Sequence, residues 1–395
     1  MEIERIEPEY YGDNPANGIK TDWADIFRLY NDLGCPPHVY NPSELPINDA
    51  SYFILTSERN TGKTTNLILI AMLLYLRYGM VSAYIRQHSD MITPKEMRNF
   101  MNVIIACQYV QKLTNGEYNG VRYWARHYTF VRWTPEGKKD AESDPFLWVG
   151  ALNEHQEYKS TLNLPTCNLI IYDEFISSYY NDDFIVLMDL HKTISRNRSG
   201  VKCCLLANTT NYYHEFFREF LIQEEVLNTK VNHSFIKKTG HGTIVYYKMI
   251  GDRDPQRSAV NMEYYGFDNP KLKSITGGDW AVNSYPHIRR EDREIIYRSA
   301  YIMFNGRYFQ LELVRNDRLG IHVIVHLAHD SNVEKFAERI YTVEEIRSRN
   351  EVFGYGSLKL DKMLWALYVN NKWYYADNDV GFSVNSYVNR VDKTN

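Results

Sequence analysis

Residues 51–65 read SYFILTSERNTGKTT, and the apolar run that follows them, LILIAMLLYL at 67–76, lasts for the length of a helix. SYFILT has the size and composition of a buried strand, whereas the later run is too long for one. A strand that turns through Gly62, Lys63 and Thr64 into a helix gathers backbone N–H groups, an ammonium and a hydroxyl at one point. Those groups suit a polyphosphate and the Mg²⁺ that accompanies it. In the pattern G-x-x-x-x-G-K-[ST], Gly62 lets the backbone approach the phosphates, Lys63 reaches the β- and γ-phosphates, and the Thr64 hydroxyl ligates Mg²⁺. Asn60, Thr61 and Thr65 complete the loop, and Ser57 stands where the pattern has its first glycine. Arg59, inside the loop, is either a phosphate ligand, a switch that changes partners with the nucleotide, or a solvated side chain.

The rest of the chain supplies what such a loop needs. NLIIYDEF at 168–175 is an apolar strand ending in Asp173 and Glu174, and open α/β sheets place their ligands at that edge. Asp173 suits the Mg²⁺ shell, through a water, and Glu174 suits polarisation of an attacking water. VKCCLLANTT at 201–210 is another apolar strand, and it delivers Asn208 to the same edge. Just before it, SRNRSG holds Arg196 and Arg198, which either pair with surface acids or reach a neighbouring subunit's phosphate. Arg86 ends the strand VSAYIR, within reach of the nucleotide or Glu174, and Lys159 in HQEYKST is a weaker candidate for a contact across subunits.

Length allows two domains, with 395 residues in the chain. Lys and Arg total 45 against 49 Asp and Glu, a net charge of −4, so any contact with a polyanion is local. Candidates are Lys138 and Lys139 in PEGKKD, and Lys237 and Lys238 in FIKKTG. The five cysteines include no CxxC pair and read as reduced core residues, and the twelve histidines show no zinc spacing. The start, MEIERIEPEY, is too acidic for a signal peptide, and the run 67–76 covers about half a membrane span, so a cytoplasmic setting is expected.

Organisation follows from composition. Residues 1–48 are polar and Pro-rich with one helix over DWADIFRLYNDLG, and read as an arm packed on a core. Residues 49–232 alternate strand and helix, interrupted between Tyr118 and Val149 by aromatic β-type runs that read as an antiparallel hairpin insertion or sheet edge. Residues 233–293 read as a linker or small subdomain. From 294 to 395 three strand-like runs turn at Asn305-Gly306 and Asn316–Gly320, followed by helices over VEKFAERIYTVEEIRS and LDKMLWALYVN.

SERNTGKT, AYIRQ, LIIYDEFI, MDLHKTISRNRSGVKCCLLANTT and FNGRYFQLELV with VIVHLAHDS, in this order, resemble the genome-packaging ATPases of small podophages of the Picovirinae type, relatives of terminase large subunits. The resemblance spans roughly residues 50–340. It implies an α/β P-loop NTPase domain of the additional-strand, conserved-glutamate type, with a smaller α+β domain resembling a degenerate RNase H-like nuclease. It also implies ATP-driven movement of double-stranded DNA into a procapsid by a homomeric ring, usually pentameric, on the portal. A structural RNA in the motor is left open. Such a protein works in the host cytoplasm, transiently at the portal vertex and outside the mature virion. By the resemblance Lys63 and Thr64 bind phosphates and Mg²⁺, and Arg59 is the loop arginine. Asp173 and Glu174 are the metal and catalytic carboxylates, Asn208 belongs to the coupling segment, and Arg196 is a finger given in trans. A two-metal nuclease needs a carboxylate cluster on its first strands. Here AYIMFNGRYFQLELV offers Asn305 at its turn, and Glu312 and Asp330 are the nearest acids, so nuclease activity is not expected. Two rival readings are a P-loop kinase acting on a small acceptor and a portal-associated DNA-binding protein with a decayed nucleotide site.

Overall fold

A computed structural model describes residues 3–392 except 13, 35–38, 58–60, 177–182, 209–213, 240–242, 252–284, 287–293, 305, 318, 330–332, 334, 344–349 and 354–356. The chain divides into two compact units, the first over Met1–Ser177 with Asp182–Trp280 and the second chiefly Ala281–Asn395.

The first unit is built on a nine-stranded sheet. Its strands are β1 (Tyr52–Ser57), β2 (Ser82–Arg86), β3 (Gly120–Trp124), β4 (His127–Trp133), β5 (Lys139–Ala151), β6 (Leu169–Asp173), β7 (Lys202–Asn208), β8 (Ser234–Lys238) and β9 (Ile244–Ile250). They lie in the order β3-β4-β5-β2-β6-β7-β1-β9-β8. The run from β5 to β9 is parallel throughout, and the pairs β3–β4, β4–β5 and β8–β9 are antiparallel. Parallel strands buried on both faces read as continuous apolar runs, as YFILT, LIIY and CCLLA do.

Alternate residues of these strands feed two cores. Phe53, Leu55, Ile171, Cys204 and Leu206 face one layer, and Ile54, Ile170, Tyr172, Cys203 and Leu205 face the other. The first layer is filled by α2 (Lys63–Tyr78), which follows α1 (Trp23–Asp32) in the chain and is apolar all round because it is buried all round. Gly79 ends α2 in the left-handed conformation, with its N–H on Tyr75 O and that of Met80 on Leu74 O. The expected helix near Pro94–Tyr109 is broken into α3 (Pro94–Phe100), α4 (Asn102–Ala106) and α5 (Tyr109–Leu113). On the other face lie α6 (His155–Thr161), α7 (Asp183–Ser195), α8 (Glu215–Glu219) and α9 (Gln223–Asn228).

Three sequence expectations need correction here. The arm does more than rest on a core, since Trp23, Ile26, Tyr30, Tyr40 and Ile47 are themselves buried in the first layer. Arg77 bonds Asp25 and the Glu4 carbonyl, and Asn168 bonds the Ile19 carbonyl, so polar contacts fix the arm as well. Residues 234–250, within the stretch read as a linker or small subdomain, instead supply β8 and β9 to the main sheet, and β9 pairs in parallel with β1 over Val245–Ile250. Most of the remaining linker lies outside the described residues. Cys167, Cys203 and Cys204 are buried as expected of core thiols, but Cys107 is exposed, and Cys35 lies outside the described residues.

The second unit holds a sheet of β10 (Glu294–Phe304), β11 (Arg307–Asn316), β12 (Gly320–Ala328), β13 (Arg339–Thr342), β14 (Glu351–Phe353) and β15 (Trp373–Tyr375), in the order β14-β13-β10-β11-β12-β15. β10, β11 and β12 form an antiparallel meander, whereas β13 runs parallel to β10, β14 to β13 and β15 to β12. The helix expected over VEKFAERIYTVEEIRS is thus wrong at its centre. Ile340 and Tyr341 are buried in a strand, where aromatic and β-branched side chains pack well. Helices Lys362–Val369 and Asn378–Asp392 close the unit, the second packing Val380, Val384, Tyr387 and Val388 on the sheet. Among the described residues no helix is long and apolar enough to cross a membrane.

Candidate functional site

The C-terminal ends of β1, β6 and β7 open onto one cleft of about 380 Å³. β1 contributes the loop that leads to Thr61, Gly62, Lys63, Thr64 and Thr65, β6 contributes Asp173 and Glu174, and β7 contributes Ala207 and Asn208. Strand register explains the convergence, because Ser57 pairs with Asn208 across β1 and β7, and Asp173 with Leu206 across β6 and β7. β7 therefore stands between the strand of the phosphate-type loop and the strand of the two carboxylates.

Gly62 begins α2 with φ of 79°, and a Cβ there would lie 2.9 Å from Cβ of Val39. Both the left-handed backbone and the close approach demand glycine. Tyr40 of the arm donates its N–H to Thr61 O at 2.9 Å and accepts from Asn66 Nδ2 at 2.6 Å, which ties the loop to the arm. The Lys63 side chain is buried and donates to Ser57 Oγ, which lies 2.7 Å from Thr61 Oγ1. Burial pulls the Lys63 ammonium down to about 8, against the opposing pull of Asp173 and Glu174.

Thr64 Oγ1 donates to Asp173 Oδ2 at 3.1 Å, and the same oxygen accepts from the buried Tyr84 hydroxyl at 2.9 Å. Arg86 lies over both carboxylates, with Nη2 2.5 Å from Glu174 Oε2 and Nη1 3.6 Å from Asp173 Oδ2. Burial opposes the charge of Arg86, but Tyr84, Asp173 and Glu174 outweigh it and hold its pKa above the ordinary value. Glu174 has φ of 57°, in a region where a non-glycine residue is strained, and its side chain is 49% exposed toward the cleft mouth. Its backbone N–H bonds Asp173 Oδ1 at 3.1 Å, which fixes the sharp turn after β6.

A hydroxyl and a carboxylate oxygen facing one cleft form a hard, oxygen-only donor pair, which suits Mg²⁺ when most of its ligands are water and phosphate. Among the described residues no group of three or more His, Cys, Asp or Glu is placed to hold a metal ion.

Other expected residues sit elsewhere. Arg59 and Asn60 lie outside the described residues. Arg196 follows α7, ahead of the start of β7, so the length of that strand separates it from the Asn208 end. It is exposed, has φ of 45°, and bonds Leu162 O at 2.9 Å. Arg198 bonds four backbone carbonyls, those of Leu164, Pro165, Ile194 and Ser195, and so clamps the end of α7 to the loop before β6. Lys159 is paired with Asp189 at 2.9 Å, Lys139 with Glu142, and Lys237 with Glu225 at 2.5 Å, while Lys138 and Lys238 are exposed. Tyr84 was missed in the sequence. The period of a strand could have found it, because it lies two residues before Arg86 and so on the same face.

No family model matches the chain. DNA packaging proteins of Bacillus phages PZA and phi29 are each 23% identical to it over 194 residues, covering 47% of this chain and 51% of theirs. The chain thus spans about half the length of the curated relatives it matches. Among solved structures, the bacteriophage phi-29 genome packaging motor assembly superposes with a TM-score of 0.58 at 17% identity, over 90% of this chain and 99% of that one. The phi-28 gp11 DNA packaging motor superposes with a TM-score of 0.53 at 15% identity, over 88% and 96%. At such identities the likeness is one of fold.

Proposed function

Because the chain is similar to phage DNA packaging proteins in sequence and in fold, we propose that it is the ATPase of a genome-packaging motor that drives double-stranded DNA into a preformed capsid. The observation that carries this reading is the meeting of Lys63, Thr64, Asp173, Glu174 and Asn208 on one cleft, with β7 inserted between the two strands that matter most.

In this reading Lys63, the loop residues Arg59 to Thr61, and Thr65 hold the triphosphate. Thr64, directly, and Asp173, through a water, would hold Mg²⁺, which when bound would supply positive charge against the β- and γ-phosphates. Glu174 accepts the proton of the attacking water, a contribution typically worth about 10²- to 10⁴-fold in rate. Arg86 fixes the direction of the Glu174 carboxylate, and Tyr84 does the same for Asp173. Asn208, an amide beside them, holds the water or follows the γ-phosphate.

Arg196 is proposed as the finger that completes a neighbouring subunit's site in a homomeric ring, pentameric by analogy. Its place at the far end of β7 favours a role in trans over one in its own cleft. Arg196→Ala subunits mixed with Glu174→Gln subunits are expected to recover hydrolysis, and no recovery from co-assembled rings removes the role.

The functional division is proposed as an arm over 1–48, an ATPase domain over 49–232, now extended by β8 and β9, a linker, and a C-terminal domain from 294. For that last domain, an antiparallel β10–β12 meander flanked by parallel β13 and β14 supports the RNase H-like reading. Glu312 is a buried acid on β11, and Asn305 and Asp330 lie outside the described residues. We propose that the domain binds and does not cut DNA.

The protein would act in the host cell at the portal of the empty capsid. The deciding assay incubates it with matching empty capsids, duplex DNA and ATP, and measures free phosphate together with DNA protected from nuclease. Both should rise together. A phosphorylated small acceptor with no DNA dependence would favour the phosphotransferase alternative. No turnover by the wild type would favour a decayed site.

A further inference from the structure

The last residue of β1 is Ser57, where the phosphate-loop pattern has glycine, and a glycine offers no side-chain acceptor. Its position is rigid, because Ser57 is in register with Asn208 of β7 on one side and Ile250 of β9 on the other. Ser57 is 0% exposed, Thr61 4% and Lys63 6%, and all three polar tips meet. An ammonium has only donors, so Ser57 Oγ must accept from Lys63, while 2.7 Å separates Ser57 Oγ from Thr61 Oγ1. We propose that Ser57, supported by Thr61, is a positioning residue that seats the Lys63 ammonium and competes for it with an incoming phosphate.

The inference rests on the nucleotide reading of the cleft and deepens it. Charged hydrogen bonds in buried sites are among the stronger polar contacts, and one that is exchanged on binding subtracts from affinity. A phosphate then has to take Lys63 from Ser57 before it is fully held. The role differs in sign from that of a phosphate ligand. Removing a ligand weakens binding, whereas removing a competing seat tightens it. Thr61 contributes by holding Ser57 in the rotamer that faces Lys63, and it also lines the cleft.

The test is a calorimetric titration of the full-length chain with Mg²⁺ and a non-hydrolysable ATP analogue, repeated for Ser57→Ala and Ser57→Thr, with thermal melts to show that each variant folds. Ser57→Ala should bind on the order of tenfold more tightly, the size of one charge-assisted hydrogen bond, and show a correspondingly lower KM for ATP. Ser57→Thr keeps the hydroxyl and should keep the wild-type affinity. If alanine is too disruptive to fold, Ser57→Cys, which keeps the size of the side chain but offers only a weak acceptor, should tighten binding in the same sense. Unchanged affinity in folded Ser57→Ala, or weaker binding, overturns the seat and makes Ser57 neutral or a ligand. Failure of the wild type to bind the analogue at all would instead overturn the nucleotide reading, and that result appears before any variant is made.

Discussion

Arg86 shows how much one side chain organises the candidate site. Two adjacent carboxylates at a strand end repel one another, and a guanidinium 2.5 Å from one and 3.6 Å from the other offsets that repulsion. Replacing Arg86 by Met should cost about 1–2 kcal/mol in a denaturant titration, less than a buried pair would because Glu174 is half exposed. Under the proposed mechanism it should also slow hydrolysis by about 10²-fold, since Glu174 loses its orientation. Equal turnover in the variant would mean that the pair only stabilises the fold. At this scale much was legible in the sequence. Ser57, Asp173 and Asn208 each end an apolar run with a polar residue, and in a parallel sheet such ends gather at one edge. The partner of Arg86 was open between the nucleotide and Glu174, because sequence does not say which way a long side chain turns. Tyr84 was hidden because an aromatic residue inside a strand reads as core.

At the scale of elements, β9 and β13 were the hard cases, each for a different reason. β9 carries Lys248 in its interior, and the charge made IVYYKMI look less buried than it is. Glu44 of the arm pairs with that lysine, so the burial becomes tolerable only through a partner distant in sequence. β13 is four residues long, too short for its own period to compete with the helical spacing around it. The reassignment of β9 can be checked. Tyr247 is fully buried and its hydroxyl meets Thr56 Oγ1 at 2.8 Å, so Tyr247→Ala should cost about 3–5 kcal/mol by denaturant unfolding. Had 233–250 been a solvated linker, the change would fall within about 0.5 kcal/mol. A related test concerns Arg198, which should behave as a structural clamp. Arg198→Ala leaves carbonyls at the end of α7 and before β6 without their donor and should lower the melting midpoint, independently of any effect on hydrolysis.

The whole molecule should be sensitive to acid for a reason visible in its core. Burial lowers His191 to about 4 and His214 to about 3, so both stay neutral in the folded chain. Once unfolded they titrate near 6.5, and the unfolded chain then binds more protons wherever pH lies between the two values. Stability is therefore full above about pH 6.5 and falls as the pH drops toward 4 and below. Each group can contribute on the order of 3 kcal/mol to that loss. His191→Phe should flatten the slope between pH 6.5 and 4, and a slope identical to the wild type's would assign the acid lability to other groups. In the proposed motor, function depends on copies acting together, which a single sequence only hints at. A net charge of −4 gives no global attraction for DNA, so the proposed motor must rely on local cations such as the exposed Lys138 and Lys238. The central claim remains that the cleft at the ends of β1, β6 and β7 hydrolyses ATP with Glu174 as the base. It is tested most directly by measuring steady-state phosphate release, with duplex DNA present, by the wild type and by Glu174→Gln, alongside nucleotide binding by each. The account predicts that the variant binds nucleotide normally and loses about 10²- to 10⁴-fold in turnover. Turnover equal to that of the wild type, or no nucleotide binding by either protein, would contradict it.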